Sequence, residues 1–163
     1  MGNMRPVFII SQKTKAIMAE EESGYYRAKI LEGDTEKFSI HKPLQIIDNS
    51  CLVYGASLEG RKTSVKQILN SASKLPIPVN VNEGIYMMPT ASTKNKDCVW
   101  LSYQHIHTYE QRDDKTYITF HDGTGIYINT SENAFDQQFK RTSQVIVHMN
   151  GSTLFGKHWH PFW

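Results

Sequence analysis

The sequence predicts an α+β fold: a single domain, mostly antiparallel β-sheet, with one amphipathic helix near the C-terminus. Three observations predict it. β-Branched and aromatic runs, punctuated by tight-turn residues, dominate the first half and return between residues 98 and 129. A strong helical repeat comes only late, in "TSENAFDQQFKRTSQVIVHM", where Phe135, Phe139, Thr142, Ile146 and Met149 fall at helical spacing. The pattern around the apolar runs is not βαβ, so a parallel sheet is not expected. At 163 residues the chain suits one domain, 1–163, large enough to bury an ordinary core. Residues 150–163 form a short aromatic tail.

Each element has its own signal. "VFIISQKTKAIM" and "GYYRAKIL" are candidate strands. Gly33-Asp34, between two apolar-rich runs in "KILEGDTEKFSI", signals a hairpin. In "HKPLQIIDNSCLVYG", Pro43 leaves both a strand and a helix start open. Residues 57–70 suit a short central helix. Ser64 and Gln67 have capping-box spacing, and Val65, Ile68 and Leu69 form a stripe, although the β-branched content leaves a strand open. "LPIPVNVNEGIYMMPT" reads as edge-like extended chain, because Pro76 and Pro78 cannot donate to a ladder. "TASTKNKD" is a polar loop carrying Lys94 and Lys96. "CVWLSYQHIHTYE" and "KTYITFHDGTGIYIN" give the clearest hairpin, with Asp122-Gly123 as its tight turn. Ser131 or Asn133 caps the late helix. "GKHWHPFW" is aromatic and irregular.

Composition narrows the class. Hydrophobic residues at 39% and charged residues at 21% are those of a globular chain. Cys51 and Cys98 make neither a disulfide framework nor a four-ligand zinc pattern, and are expected as reduced, packed thiols. The apolar run "VFII" falls far short of the ~18 residues of a membrane span, and the N-terminus lacks signal-peptide features. A cytoplasmic location follows. A net charge of +2 and a pI near 8.5 permit nucleic-acid binding without arguing for it.

"GASLEGRKT", Gly55 to Thr63, nearly reads as a phosphate loop, but Arg61 stands where the lysine belongs. Such a loop also needs a strand before it and a helix after it. The basic pair Arg61-Lys62 remains, with Lys66 one helical turn beyond Lys62. Cations near a helix N-terminus oppose the helix dipole, and an outside anion such as a DNA phosphate relieves that conflict. A solvated basic loop is the plainer alternative.

His105-x-His107, if on a strand, would place both rings on one side, yet it lacks further ligands. Neither cysteine advertises an activating base, and no nucleophile elbow is present. Tyr86, Trp100, Tyr103, Tyr109, Tyr117 and Tyr127 suit packing better than base stacking. Glu20, Glu21 and Glu22 read as a solvated turn. The expectation is a protein that is not an enzyme and uses no cofactor or metal.

Four stretches carry a resemblance: "KPLQIIDNSC" (Lys42–Cys51), "YGASLEGRK" (Tyr54–Lys62), "MMPTAS" (Met87–Ser92) and "CVWLSYQHI" (Cys98–Ile106). Their order and spacing resemble the ComK family, the competence transcription factors of Bacillus and its relatives. The likeness is close over roughly residues 40 to 110 and looser into "NAFDQQFKRT", where Arg141-Thr142 matches the family's Arg-Thr pair. The resemblance implies a nucleoid-associated activator of DNA-uptake genes that binds paired A/T-rich boxes of double-stranded DNA through the minor groove. It also implies self-association on DNA as a dimer or tetramer, and RNA polymerase as a partner.

The expected DNA contacts are Arg61 and Lys62, where Gly60-Arg61-Lys62 matches the family's Gly-Arg-Lys, together with Lys66. Lys94, Lys96, Lys140 and Arg141 follow on charge and placement, with Lys42 an outside candidate. Family members usually carry a longer C-terminal tail, with an aromatic-apolar patch bound by the adaptor MecA for delivery to a Clp protease. "GKHWHPFW" has no evident copy of that patch, which puts MecA and Clp in doubt as partners. The alternative is a ComK-fold interaction module that modulates a full-length regulator without productive DNA binding.

Overall fold

Alternating side chains sort the strands into two antiparallel sheets. The computed structural model describes residues 6–151. Its six-stranded sheet has the order β3-β2-β1-β6-β5-β4. These strands are β1 (Thr14–Ala19), β2 (Ala28–Glu32), β3 (Thr35–Ser39), β4 (Ile77–Asn80), β5 (Ile85–Pro89) and β6 (Val99–Ser102). A smaller sheet follows, ordered β7 (Ile106–Arg112), β8 (Lys115–Phe120) and β9 (Gly125–Ile128). Helices α1 (Pro43–Val53), α2 (Leu58–Leu69) and α3 (Glu132–Met149) complete the fold.

The six-stranded sheet is the middle layer, and its central strands are buried on both faces, while the edge strand β3 is exposed from Thr35 to Phe38. Ile17, Met87 and Trp100 point into one core with Ile46, Ile47 and Cys51 of α1, Val65 of α2 and Val145 of α3. Their strand neighbours Ala16, Met88 and Leu101 point into the other core, with Ile118, Phe120 and Ile128 of the small sheet. This is the period-two alternation of a strand with both faces covered. Helix α3 serves both cores: Phe135 and Phe139 lie in the second, Val145 and Met149 in the first. Ser131 caps it, its hydroxyl oxygen accepting from the Ala134 N–H at 3.1 Å.

The α+β class holds, but the helix count is corrected: the described residues contain three helices, not one plus a short central one. The stretch that Pro43 left open is α1. Pro43 occupies its first turn, where a missing N–H costs nothing. Ile46, Ile47, Ser50 and Cys51 bury a single face at helical spacing. The central helix is capped by Ser57, not Ser64; Ser57 Oγ accepts from the Gly60 N–H at 3.0 Å. A Cβ on residue 60 would lie 2.9 Å from that oxygen, so a glycine suits the cap. Residues 7–10, expected as strand, are not strand. Their backbone is used by α1 instead: Ile10 N–H donates to Ser50 Oγ at 2.9 Å, and Tyr54 O–H donates to the Ile10 carbonyl at 2.6 Å.

The hairpin after residue 98 is also rearranged. Val99–Ser102 belongs to the large sheet and Ile106–Arg112 to the small one, joined by a 3-10 turn at Tyr103–His105. Asp122-Gly123 turns β8 into β9, and Gly123 takes φ +89°. Gly33 turns β2 into β3 at φ +56°, as its position predicts. Strand β4 lies at the sheet edge, as Pro76 and Pro78 suggest, but β5 of the same stretch, expected as edge-like, is a buried interior strand between β4 and β6. The aromatic tail beyond residue 151 lies outside the described residues.

One ion pair crosses between the sheets. The Lys15 ammonium, on a side chain only 4% exposed, lies 2.8 Å from Asp122 Oδ2 and 2.7 Å from Thr124 Oγ1. The hydrogen bonds from Lys15 and then Thr124 pull the Asp122 carboxyl well below the usual carboxylate range.

Candidate nucleic-acid interface

Antiparallel pairing fixes which end of the large sheet each basic group occupies. β1 and β5 end, and β2 and β6 begin, at the same end. Lys94 and Lys96 stand there, in the loop from β5 to β6. That loop is ordered by its own backbone. Asn95 N–H donates to the Ser92 carbonyl at 2.9 Å, and Cys98 N–H to the Asn95 carbonyl at 3.0 Å. Asp97 ties it to the connection from β9 to α3, accepting from Asn129 Nδ2 at 3.0 Å. Both lysines are exposed, and neither side chain makes an ion pair or hydrogen bond among the described residues.

Arg61 lies near Tyr86, at the start of β5, and so toward the opposite end of that strand from Lys94 and Lys96. Arg61 is half-buried and its Nε is enclosed without a hydrogen-bond partner among the described residues. Its charge reaches the protein interior. Burial pushes the Cys51 thiol up to about 11, and Arg61 opposes that rise. Burial likewise raises Tyr86, again with Arg61 opposing. Lys62 lies 3.7 Å from Glu59, in the first turn of α2. That carboxylate complements the helix dipole, so the conflict expected from Arg61 and Lys62 is partly relieved within the chain. Lys66 is exposed in the last turn, where a cation is favourable.

Gly55 follows α1 at φ +87° and precedes α2. The loop therefore joins helix to helix, whereas a phosphate loop joins strand to helix.

Lys140 and Arg141 sit together on α3 but have different surroundings. Lys140 is exposed and lies 2.8 Å from Asp136. Arg141 is part-buried, and its guanidinium donates to the carbonyls of Ser73 (2.9 Å) and Lys74 (3.2 Å), to Ser71 Oγ (3.2 Å) and to Gln138 Oε1. Burial lowers its pKa from the ordinary value. Gln138 extends the clamp, donating to the carbonyls of Lys74 and Pro89 at 2.8 and 2.9 Å. Together they fasten α3 to the connection between α2 and β4.

The remaining candidates resolve into packing. Cys51 and Cys98 are buried and free. His105 falls in the 3-10 turn, not on a strand beside His107. Its Nε2 meets the Gln12 carbonyl at 2.5 Å, while His107 packs on His121. Among the described residues no group of three His, Cys, Asp or Glu side chains is placed to hold a metal. Tyr86 and Trp100 are buried, Tyr103 stacks on Phe139, and Tyr109 meets Phe135 edge-on. Tyr109 also donates to Asp136 at 2.6 Å, and burial followed by that carboxylate pushes its pKa up to about 12. Tyr127 packs on Tyr117 yet remains 54% exposed. Among the described residues no helix is long and apolar enough to cross a membrane.

A family model described as "ComK protein" matches residues 6–153. The chain belongs to the ComK family. It is similar to a competence transcription factor of Bacillus subtilis (strain 168), with 33% identity over 135 residues, 82% of this chain and 70% of the relative. No solved structure matches the chain. The stretches that carried the ComK resemblance are spread through this fold. "KPLQIIDNSC" forms most of α1, "YGASLEGRK" is the α1–α2 connection with the first turns of α2, and "MMPTAS" is β5 with its exit. "CVWLSYQHI" leads from the large sheet to the small one.

One basic residue had no signal in the sequence. Arg27, at the entry to β2, lines the same cleft as Lys42, Lys94 and Lys96. It stands alone between Tyr26 and Ala28, and only the antiparallel pairing brings it beside the loop lysines.

Proposed function

We propose that this ComK-family chain is a competence transcription regulator that binds paired A/T-rich boxes of duplex DNA, chiefly through the minor groove. The observation that carries the reading is the placement of Lys94 and Lys96. They project from a short, internally bonded loop and have no partner within the described residues. Narrow A/T minor grooves have a deepened negative potential that attracts such cations. Lys66 and Lys140 add exposed charge, and Lys62 is half-exposed beside its weak partner Glu59. Arg141 has inward hydrogen bonds, so its first contribution is to hold α3 in place, and Arg61 is half-buried with its Nε enclosed, which makes it less available than the exposed lysines. Self-association on DNA and contact with RNA polymerase belong to the same proposal. The similarity to the Bacillus subtilis competence transcription factor supports it.

The test is a fluorescence-anisotropy titration of a paired A/T-box duplex against a G/C duplex at two salt concentrations. The proposal expects tight, A/T-selective binding that weakens steeply with salt. Absence of binding by the wild-type chain contradicts it and favours an interaction module that acts through another regulator.

A further inference from the structure

Three elements distant in sequence meet around a cleft of about 400 Å³ at the loop end of the large sheet. Arg27 enters from just before β2, Lys42 from the N-cap of α1, and Lys94 and Lys96 from the β5–β6 loop. All four side chains are exposed, and none of their charged groups makes an ion pair or hydrogen bond among the described residues. The facing acids are Glu20 and Glu21, so the cleft keeps two more cations than carboxylates. Glu20 is turned toward its own bend, its Oε1 accepting from the Glu22 N–H at 3.0 Å.

Four unpaired cations around one small cleft repel one another in the free protein. An anion seated among them removes that repulsion and gains each attraction. Leu44 and the largely buried Trp100 also line the cleft, so its wall is partly apolar as well as charged. The volume is at the small end of ligand sites and suits a sugar-phosphate segment, not the width of a duplex. Lysines act as point charges toward phosphate and do not require the paired geometry of a carboxylate.

Resting on the DNA-binding reading above, we infer that this cleft seats backbone phosphates of one DNA strand. Arg27 and Lys42 are then contacts in addition to the two loop lysines. The loop would address the groove while Arg27 and Lys42 hold the adjoining backbone, which fixes the register of the protein on its site.

The test compares wild type, Arg27→Ala/Lys42→Ala and a control, Lys13→Ala/Lys115→Ala, which removes two exposed cations outside the cleft. Affinity for an A/T-box duplex is measured by anisotropy at three salt concentrations, with far-UV circular dichroism and melting as the check on folding. The cleft variant is expected to lose roughly tenfold or more in affinity, and its log–log salt slope to shrink by about two. The control is expected to change far less. Equal affinity and slope for wild type and the cleft variant overturn the inference and leave the DNA-binding reading standing, as does an equal loss in the control. If the wild type binds no duplex, that reading fails and the inference with it. A calorimetric titration with pyrophosphate separates the other source of phosphate. Pyrophosphate binding abolished by the cleft variant, with its DNA affinity unchanged, would assign the cleft to a free phosphate compound and overturn its assignment to DNA.

Discussion

Lys15 and Lys94 sit toward opposite ends of the same sheet, and the fold treats them oppositely. Lys15 is enclosed between the two sheets and held by Asp122 and Thr124. Lys94 projects from a loop with no partner for its ammonium among the described residues. Arg141 behaves like Lys15, since its hydrogen bonds fasten α3 to the preceding connection. Arg27, Lys42 and Lys96 behave like Lys94. Net charge therefore says little about this chain, because its cations divide into those that hold the fold and those left for an outside anion. The difference is one of desolvation: a buried cation must have a partner, whereas an exposed one keeps its water until something displaces it.

The largest effect should come from breaking the enclosed pair. Asp122→Ala leaves Lys15 buried with only Thr124, and is expected to cost about 2–3 kcal/mol, below the range for a fully buried pair because Asp122 is 37% exposed. Urea unfolding measures it, and Lys15→Met/Asp122→Ala should recover much of the loss. The same pair gives a pH dependence. The folded-state pKa of Asp122 is depressed, so its contribution is present above the unfolded value of about 3.9 and is lost as pH falls below that. Wild-type unfolding midpoints should fall on acidification from pH 5 to pH 2, with a visibly shallower slope for Asp122→Ala.

Next in size is Arg141→Ala, expected to cost about 2 kcal/mol, because several carbonyl and side-chain acceptors lose a charged donor. Thermal or urea unfolding reads it. The smallest stability effect belongs to Lys94→Ala/Lys96→Ala, within about 0.5 kcal/mol, as for exposed sites without partners. Any stability loss there comparable to that of Arg141→Ala would erase the distinction between the two kinds of cation.

Local signals were legible where one element carried its own pattern. α3 showed its stripe and its Ser131 cap, and Gly33 marked a turn that needs positive φ. α1 was hidden because Ile46 and Ile47 suit a strand as well as a helix, and the choice is made by packing against the sheet. The run from Val99 to Arg112 looked continuous because its β-branched and aromatic content does not reveal that two sheets share it. Charge alone suggested Lys94 and Lys96. It gave no hint that Arg27 lies beside them, since strand pairing creates that neighbourhood, nor that Arg141 has acceptors waiting in the loop at Ser71–Lys74.

The most direct test is the salt dependence of A/T-box DNA affinity for Lys94→Ala/Lys96→Ala and for Arg141→Ala, each measured at a temperature where circular dichroism finds the protein fully folded. The two-class account predicts that the loop variant loses about two units of log–log slope and that Arg141→Ala keeps the wild-type slope despite its lower stability. A slope lost equally in both, or only in Arg141→Ala, would contradict it.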